Sequence, residues 1–231
     1  MKPELEVLAD PEALARRAAD RVVAAAQAAK DRFAIALSGG STPRRLYQLL
    51  VDAPMPWART HWFWGDERFV PPDDPASNQR MTREALLAHV PVPESQIHPI
   101  PTTGLTPDQA AAQYERTLKA FYGAEALTDR PLFDLVLLGL GTNGHTASLF
   151  PGKPVLEERS HWVGTMDDAE AGSRITLTYP ALESSRETLF LVAGADKKTV
   201  LREVLAVDRT HPAARLRPRG RLRFLVDRAA A

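Results

Sequence analysis

The chain has 231 residues, and its 29 Lys+Arg balance 29 Asp+Glu to a formal net charge of zero, which excludes the basic footprint of a general nucleic-acid binder. It contains no cysteine, which excludes a disulfide framework, a thiolate metal site and a cysteine nucleophile. The opening Met1-Lys-Pro-Glu-Leu-Glu6 has no apolar signal core, and no apolar run approaches the ~20 residues that span a bilayer, so a soluble cytoplasmic protein is expected.

Helical and strand patterns then alternate. Pro11 to Lys30 is Ala-rich and reads as a helix, with Asp10 as N-cap and Pro11 at the first helical position. Phe33–Leu37 reads as a strand, Pro43 to Val51 as a helix, and His61 to Trp64 as a second strand. Ser77 to His89 is expected to be helical, Gln96 to Ile100 a short strand, and Pro107 to Tyr122 a helix capped by Thr106. The apolar run Phe133–Leu138 predicts a buried parallel strand. Strands are expected at His161 to Met166, Arg174 to Thr178, Thr188 to Ala193 and Arg221 to Val226, with a helix over Asp196 to Val207. Proline-rich 71–75 and 91–106 read as loops. The pattern predicts one α/β domain, 1–231, with a parallel or mixed sheet and helices on both faces. A chain of this length buries a core large enough to be stable without metal or disulfide staples.

Three segments carry chemistry, each after an expected strand. The first is Gly139-Leu-Gly-Thr-Asn143-Gly144-His145-Thr-Ala-Ser-Leu-Phe150-Pro-Gly152, a glycine-rich turn with a histidine at its tip. Ligands bind outside the carboxyl ends of strands in open α/β sheets, and histidine suits proton transfer near neutral pH. The second is Leu37-Ser38-Gly39-Gly40-Ser41-Thr42-Pro43, where glycines and hydroxyls precede a helix. Free N–H groups and the helix dipole make such a turn an anion site, and phosphate is the expected occupant. The spacing and lysine of a nucleotide P-loop are missing. The third is Trp64-Gly-Asp66-Glu67-Arg68, followed by Ser77-Asn78. Here Arg68 is positioned to clamp a phosphate, and Asp66 either to hydrogen-bond sugar hydroxyls or to orient a histidine.

Three further matches carry less. Gly139-x-Gly141-x-x-Gly144 fits the dinucleotide fingerprint, but Pro151, Gly152 and Pro154 prevent the long helix that a fingerprint opens. Ala36-x-Ser38-x-Gly40 is one residue short of a nucleophile elbow and gives, with Asp134 and His145, the order Ser…Asp…His. No His-Gly-Gly oxyanion loop precedes it. The alternating arginines 215–223 read as the solvated face of a terminal strand.

Together these segments resemble the 6-phosphogluconolactonase branch of the glucosamine-6-phosphate isomerase/6-phosphogluconolactonase family. Arg174-Ile-Thr-Leu177, Gly194-x-x-Lys197, Pro212-Ala213 and Asp227-Arg-Ala-Ala230 also match, so the resemblance spans nearly the whole chain in order. It implies a Rossmann-like sheet and hydrolysis of 6-phospho-D-glucono-1,5-lactone to 6-phosphogluconate in the pentose phosphate pathway. It implies no metal or nicotinamide; no other cofactor, no nucleic-acid or membrane partner, and a monomer or weak homo-oligomer are also expected. It points to His145 and Asp66 as catalytic residues. Ser38, Gly39, Gly40, Ser41, Thr42, Arg68, Asn143, Gly144, Arg174 and Lys197 are expected to bind substrate, with amides around Gly144, or a nearby cation, stabilising an oxyanion. Where the family usually has Asp before Gly-His, this chain has Asn143, which can still bond the histidine without raising its basicity. No lysine occurs in Asp168-Ala-Glu-Ala-Gly-Ser173, which shifts phosphate contact onto Lys197 or Arg174. Phe224 stands where a tryptophan is common. The related deaminases carry a carboxylate five residues after the histidine. That position is Phe150 here, so the resemblance favours the lactonase over a deaminase. A non-catalytic sugar-phosphate sensor is the other reading.

Overall fold

The computed structural model describes residues 3–231. Ten strands run in chain order: β1 Glu4–Leu8, β2 Phe33–Leu37, β3 Thr60–Trp64, β4 Asp66–Arg68, β5 Ile97–His98, β6 Phe133–Leu138, β7 Val163–Met166, β8 Arg174–Leu177, β9 Ser185–Val192 and β10 Arg221–Asp227. The helices are α1 Pro11–Ala28, α2 Ser41–Leu50, α3 Asn78–Ala85, α4 Pro107–Tyr122, α5 Tyr179–Glu183, α6 Lys198–Leu205 and α7 Pro212–Arg215. Seven strands form a parallel sheet in the order β1-β10-β9-β6-β2-β3-β5. The fold is a Rossmann-like α/β arrangement with helices flanking this sheet.

Strands β2 and β6 lie at the centre of the sheet, which explains their unbroken apolar runs: every residue of β2 is buried, and only Asp134 of β6 is not. They are also the point where strand order reverses, because the chain passes from β2 outward to β3 and from β6 the other way to β9. Such a switch point leaves a crevice at the carboxyl ends.

Two buried tyrosines seal that end. The Tyr47 hydroxyl, on α2, accepts from the Ser38 N–H at 3.0 Å and donates to the Ser38 carbonyl at 2.8 Å. The Tyr114 hydroxyl, on α4, does the same for Trp64, at 2.9 and 3.0 Å. Each satisfies a backbone pair where its strand ladder stops.

At Gly65 the chain leaves the large sheet. Gly65 N–H donates to the Leu37 carbonyl at 2.8 Å, while its own carbonyl accepts from Leu177 N–H at 2.8 Å. This pivot starts a second, antiparallel sheet of order β4-β8-β7, which pairs Arg68 with Arg174. Neither β4 nor β1 is apparent in the sequence pattern. The Asp-Glu-Arg of β4 has no alternation, and β1 is a half-exposed edge strand. The expected helix over Ser77 to His89 breaks at Leu86, whose ψ of −65° at φ −144° leaves the helix before a 3₁₀ turn at Leu87–His89. Helix α2 begins at Ser41, two residues before Pro43. The arginine run is not one strand face: only Arg221 and Arg223 lie in β10, and β1 covers that strand's outer edge. Among the described residues no helix is long and apolar enough to cross a membrane.

Replacing Tyr114 by Phe removes both bonds to Trp64 and leaves its buried N–H and C=O unpaired, at a cost of about 1–3 kcal/mol. Urea unfolding is expected to show a lower midpoint with an unchanged m-value. An unchanged midpoint would mean that the tyrosine does not hold the end of β3.

Candidate active site

A cleft of about 280 Å³ opens at the carboxyl ends of β2 and β6. Ser38, Gly39 and Gly40 line one wall, the loop after β6 brings His145 to another, and Asp66, Arg68, Asn78, Arg174 and Lys197 line the rest. The histidine and the Ser-Gly-Gly turn therefore face one space.

The His145 loop is built around glycines. A Cβ on Gly141 would overlap the imidazole, so only glycine lets the ring lie over the backbone there. On its other side the ring stacks on Phe150, with centroids 4.1 Å apart and planes 8° apart. Asn143 fixes the ring's rotation. Its Oδ1 accepts from the His145 backbone N–H at 3.1 Å and lies 2.6 Å from Nδ1. An oxygen that already accepts one N–H takes its second bond from Nδ1–H, so the proton sits on Nδ1 and Nε2 keeps its lone pair. Burial, then the positive charges of Arg174 and Lys197, push the imidazole down from 6.5 to about 4. His145 is thus neutral near pH 7, with Nε2 free to accept a proton.

Three cations line the same cleft as this imidazole. Arg68 and Arg174 are opposite one another across β4 and β8, and neither makes a carboxylate ion pair among the described residues. Arg68 donates to the Ala76 carbonyl, and its buried Nε has no partner. Arg174 donates to the Ala171 carbonyl at 3.2 Å and lies 5.4 Å over the Phe150 ring. Burial, then repulsion from Arg68, lowers its pKa. Lys197 bonds Asp196 at 2.9 Å. The amides of Gly39 and Gly40 have no protein acceptor among the described residues, and Gly40, at φ 105°, caps α2 without a side-chain bond. Guanidiniums without a direct carboxylate ion pair, beside open amides at a helix start, are groups able to hold an anion.

Asp66 is buried, which raises its pKa against the hydrogen bond from Ser148 Oγ, at 2.7 Å, and the charges of Arg68 and Arg174. It makes no hydrogen bond to His145; Asn143 holds that ring. Glu67 caps α3: its carboxylate accepts from the amides of Asn78 and Gln79 at 2.8 Å and from Ser77 Oγ at 3.1 Å. Its bond from the Arg68 amide, also 2.8 Å, ties that cap to β4.

Some expected residues lie elsewhere. The side chains of Ser41 and Thr42 line a neighbouring depression with Asp10, Glu12 and Arg45, because α2 starts earlier than its proline and turns them away. Gly144 is buried, and its amide donates to the Gly141 carbonyl at 2.9 Å, so it does not serve an oxyanion. Asn143 contacts His145 and not the cleft wall. Asp134 is the second residue of β6, at the end away from the cleft, and bonds Ala34 N–H and Arg186, so it cannot form a triad with Ser38 and His145. No helix follows Gly144 in the 139–153 loop. Asn78 was not singled out as a binding residue. It lines the cleft, donates to the Asp66 carbonyl at 3.0 Å and packs so tightly on Gly39 that a Cβ there would overlap it. Its place beside Ser77 in a helix-starting pair was the available signal. Among the described residues no cluster of three or more His, Asp or Glu side chains is arranged to hold a metal.

The family described as glucosamine-6-phosphate isomerases/6-phosphogluconolactonase matches residues 9–224. The chain is 43% identical over 236 aligned positions to a 6-phosphogluconolactonase of Synechocystis sp., covering 100% of this chain and 98% of that protein. It is 42% identical to a 6-phosphogluconolactonase of Nostoc sp. at the same coverage. The solved structure of 6-phosphogluconolactonase from Trypanosoma cruzi superimposes with a TM-score of 0.89 at 31% identity, covering 100% of this chain and 96% of that one.

Between pH 6.5 and about 4 the unfolded chain takes up a proton at residue 145 that the folded chain refuses. This site therefore costs stability as pH falls through that window and nothing above it. In NMR the His145 Hε1 resonance is expected to titrate near 4, and inorganic phosphate is expected to raise that midpoint by offsetting Arg174 and Lys197. A phosphate-insensitive midpoint near 6.5 would remove those cations from the ring's surroundings.

Proposed function

The chain belongs to the glucosamine-6-phosphate isomerase/6-phosphogluconolactonase family, and within it we propose that this protein hydrolyses 6-phospho-D-glucono-1,5-lactone to 6-phospho-D-gluconate, without a metal, in the pentose phosphate pathway. The observation that carries the reading is a neutral His145, its Nε2 free, on the same cleft as three cations.

The substrate phosphate binds the amides of Gly39 and Gly40 and the guanidinium of Arg68, with Arg174 and Lys197 adding charge. Ser38 borders the same turn; its hydroxyl donates to the Gly39 carbonyl at 3.3 Å and keeps a lone pair for a sugar hydroxyl. Asp66, steadied by Ser148, accepts from a sugar hydroxyl. Anchored so, the lactone carbonyl lies near His145. Nε2 takes a proton from water as the water oxygen bonds C1. The carbonyl oxygen becomes an oxyanion, stabilised by Arg174 or Lys197 rather than by the Gly144 amide. The imidazolium then returns its proton to the ring oxygen as the C1–O bond breaks, leaving the open-chain acid and a neutral histidine. Positioning in the cleft and one general base worth about 10²–10⁴-fold suffice for an ester that already hydrolyses in water.

A deaminase reading finds no second acid at position 150, where Phe150 stacks on the imidazole. A sensor reading leaves the free Nε2 without a task. The same proposal makes the protein a single-domain cytoplasmic enzyme, a monomer or weak homo-oligomer, acting on a soluble substrate.

Lactone hydrolysis should exceed the spontaneous rate and persist with EDTA present. His145→Ala is expected to lower kcat about 10²–10⁴-fold. Arg68→Ala is expected to raise KM about tenfold or more, as loss of a charge-assisted bond implies. Ammonia release from glucosamine 6-phosphate without lactone turnover would overturn the assignment, and an unchanged kcat in His145→Ala would remove that residue from the chemistry.

A further inference from the structure

The apex of the His145 loop is held from outside the cleft. Asn143 is exposed and Gly144 has no side chain with which to anchor itself. At φ 79°, Gly144 presents its backbone to the ring of His211 so closely that a Cβ would overlap the imidazole. His211 Nδ1 lies 3.4 Å from the Asn143 carbonyl, and Ala213 N–H donates to the Gly144 carbonyl at 3.0 Å. The His211 ring is fixed in turn by Glu203 on α6, with 2.9 Å between Nε2 and Oε2. The segment between them is folded on itself: Asp208 N–H donates to the Glu203 carbonyl at 3.0 Å and His211 N–H to the Asp208 carbonyl at 3.2 Å. Tyr179 Oη donates to the Pro212 carbonyl at 2.8 Å, tying the next residue down.

We infer that Glu203 and His211 are positioning residues that hold Asn143, and through it the imidazole of His145, in register with the cleft. Neither lines the cleft, so neither touches substrate. Their action is mechanical. Both His211 nitrogens face oxygens, a carboxylate and a carbonyl, and the Glu203 bond turns the ring so that the other edge meets Asn143. The Asn143 amide oxygen is what orients His145, so backbone drift at 143 becomes rotation of the base. Helix α6 also begins next to Lys197, which faces the cleft. One element therefore supports both the base loop and a cation of the anion site. Misplacing reacting groups by about an ångström costs up to 10²-fold in rate.

The catalytic part of this inference rests on His145 as the base; the positioning part does not. Glu203 is on a helix surface with its side chain 41% exposed, so Glu203→Ala is expected to fold. In Glu203→Ala, kcat should fall about ten- to a hundredfold with KM within twofold, and Glu203→Gln, which keeps an acceptor for Nε2–H, should restore most of it. The His145 Hε1 resonance supplies an activity-independent readout. Its upfield ring-current shift from Phe150 should shrink in Glu203→Ala and return in Glu203→Gln. An unchanged resonance and unchanged kcat in Glu203→Ala would overturn the positioning role. A wild-type protein without lactone turnover, whose His145 resonance still moves in Glu203→Ala, would leave the positioning role standing and sink the proposed reaction instead.

Discussion

The bond between His145 Nδ1 and Asn143 Oδ1, 2.6 Å long, sets which ring nitrogen is left to act. An amide oxygen accepts and carries no charge, so it fixes the tautomer without drawing a second proton onto the ring. A carboxylate in its place would stabilise the imidazolium. Combined with burial and two nearby cations, which lower the ring's proton affinity, the amide keeps the ring neutral and leaves the lone pair of its outward nitrogen free. The crowding around it follows: Gly141 under the ring, Phe150 over it, and Gly144 bent away to let Asn143 reach back.

The second organising element is the pivot at Gly65. By leaving the large sheet there, the chain lays a three-residue strand over the crevice and pairs it with β8. That pairing, rather than nearness in sequence, brings Arg68 and Arg174 together. Glu67, between Asp66 and Arg68, turns its carboxylate into the start of α3, so alternate residues of β4 face the cleft while the middle one anchors the strand. The cleft therefore collects positive charge in a chain whose total charge is zero.

Much of this was legible in the sequence, for identifiable reasons. Strands β2 and β6 are buried on both faces, so their composition alone marks them with the observed boundaries. The capped helix α4 carries its own start signal in Thr106 and Pro107 and its stop in Gly123, whose φ is 79°. The histidine and the glycine turns stood out because both follow such strands. What was not legible is non-local. Three polar residues do not announce a strand when their partner lies more than a hundred positions away. The direction of Ser41 and Thr42 depends on where α2 begins, and Pro43 biases a reader toward the wrong turn. The Gly144 amide is consumed by a turn that sequence spacing does not reveal. Nothing local marks Glu203 or His211, because their significance comes from what the chain packs against them.

The pairing of Arg68 with Arg174 across β4 and β8 has a thermodynamic corollary. Repulsion from Arg68 acts on Arg174 against the opposing pull of Asp66, Asp168 and Glu67, and an anion seated beside the two arginines offsets it. Occupancy and persistence of the fold are then linked by mass action: an anion that binds only the native chain lengthens its survival against unfolding and proteolysis.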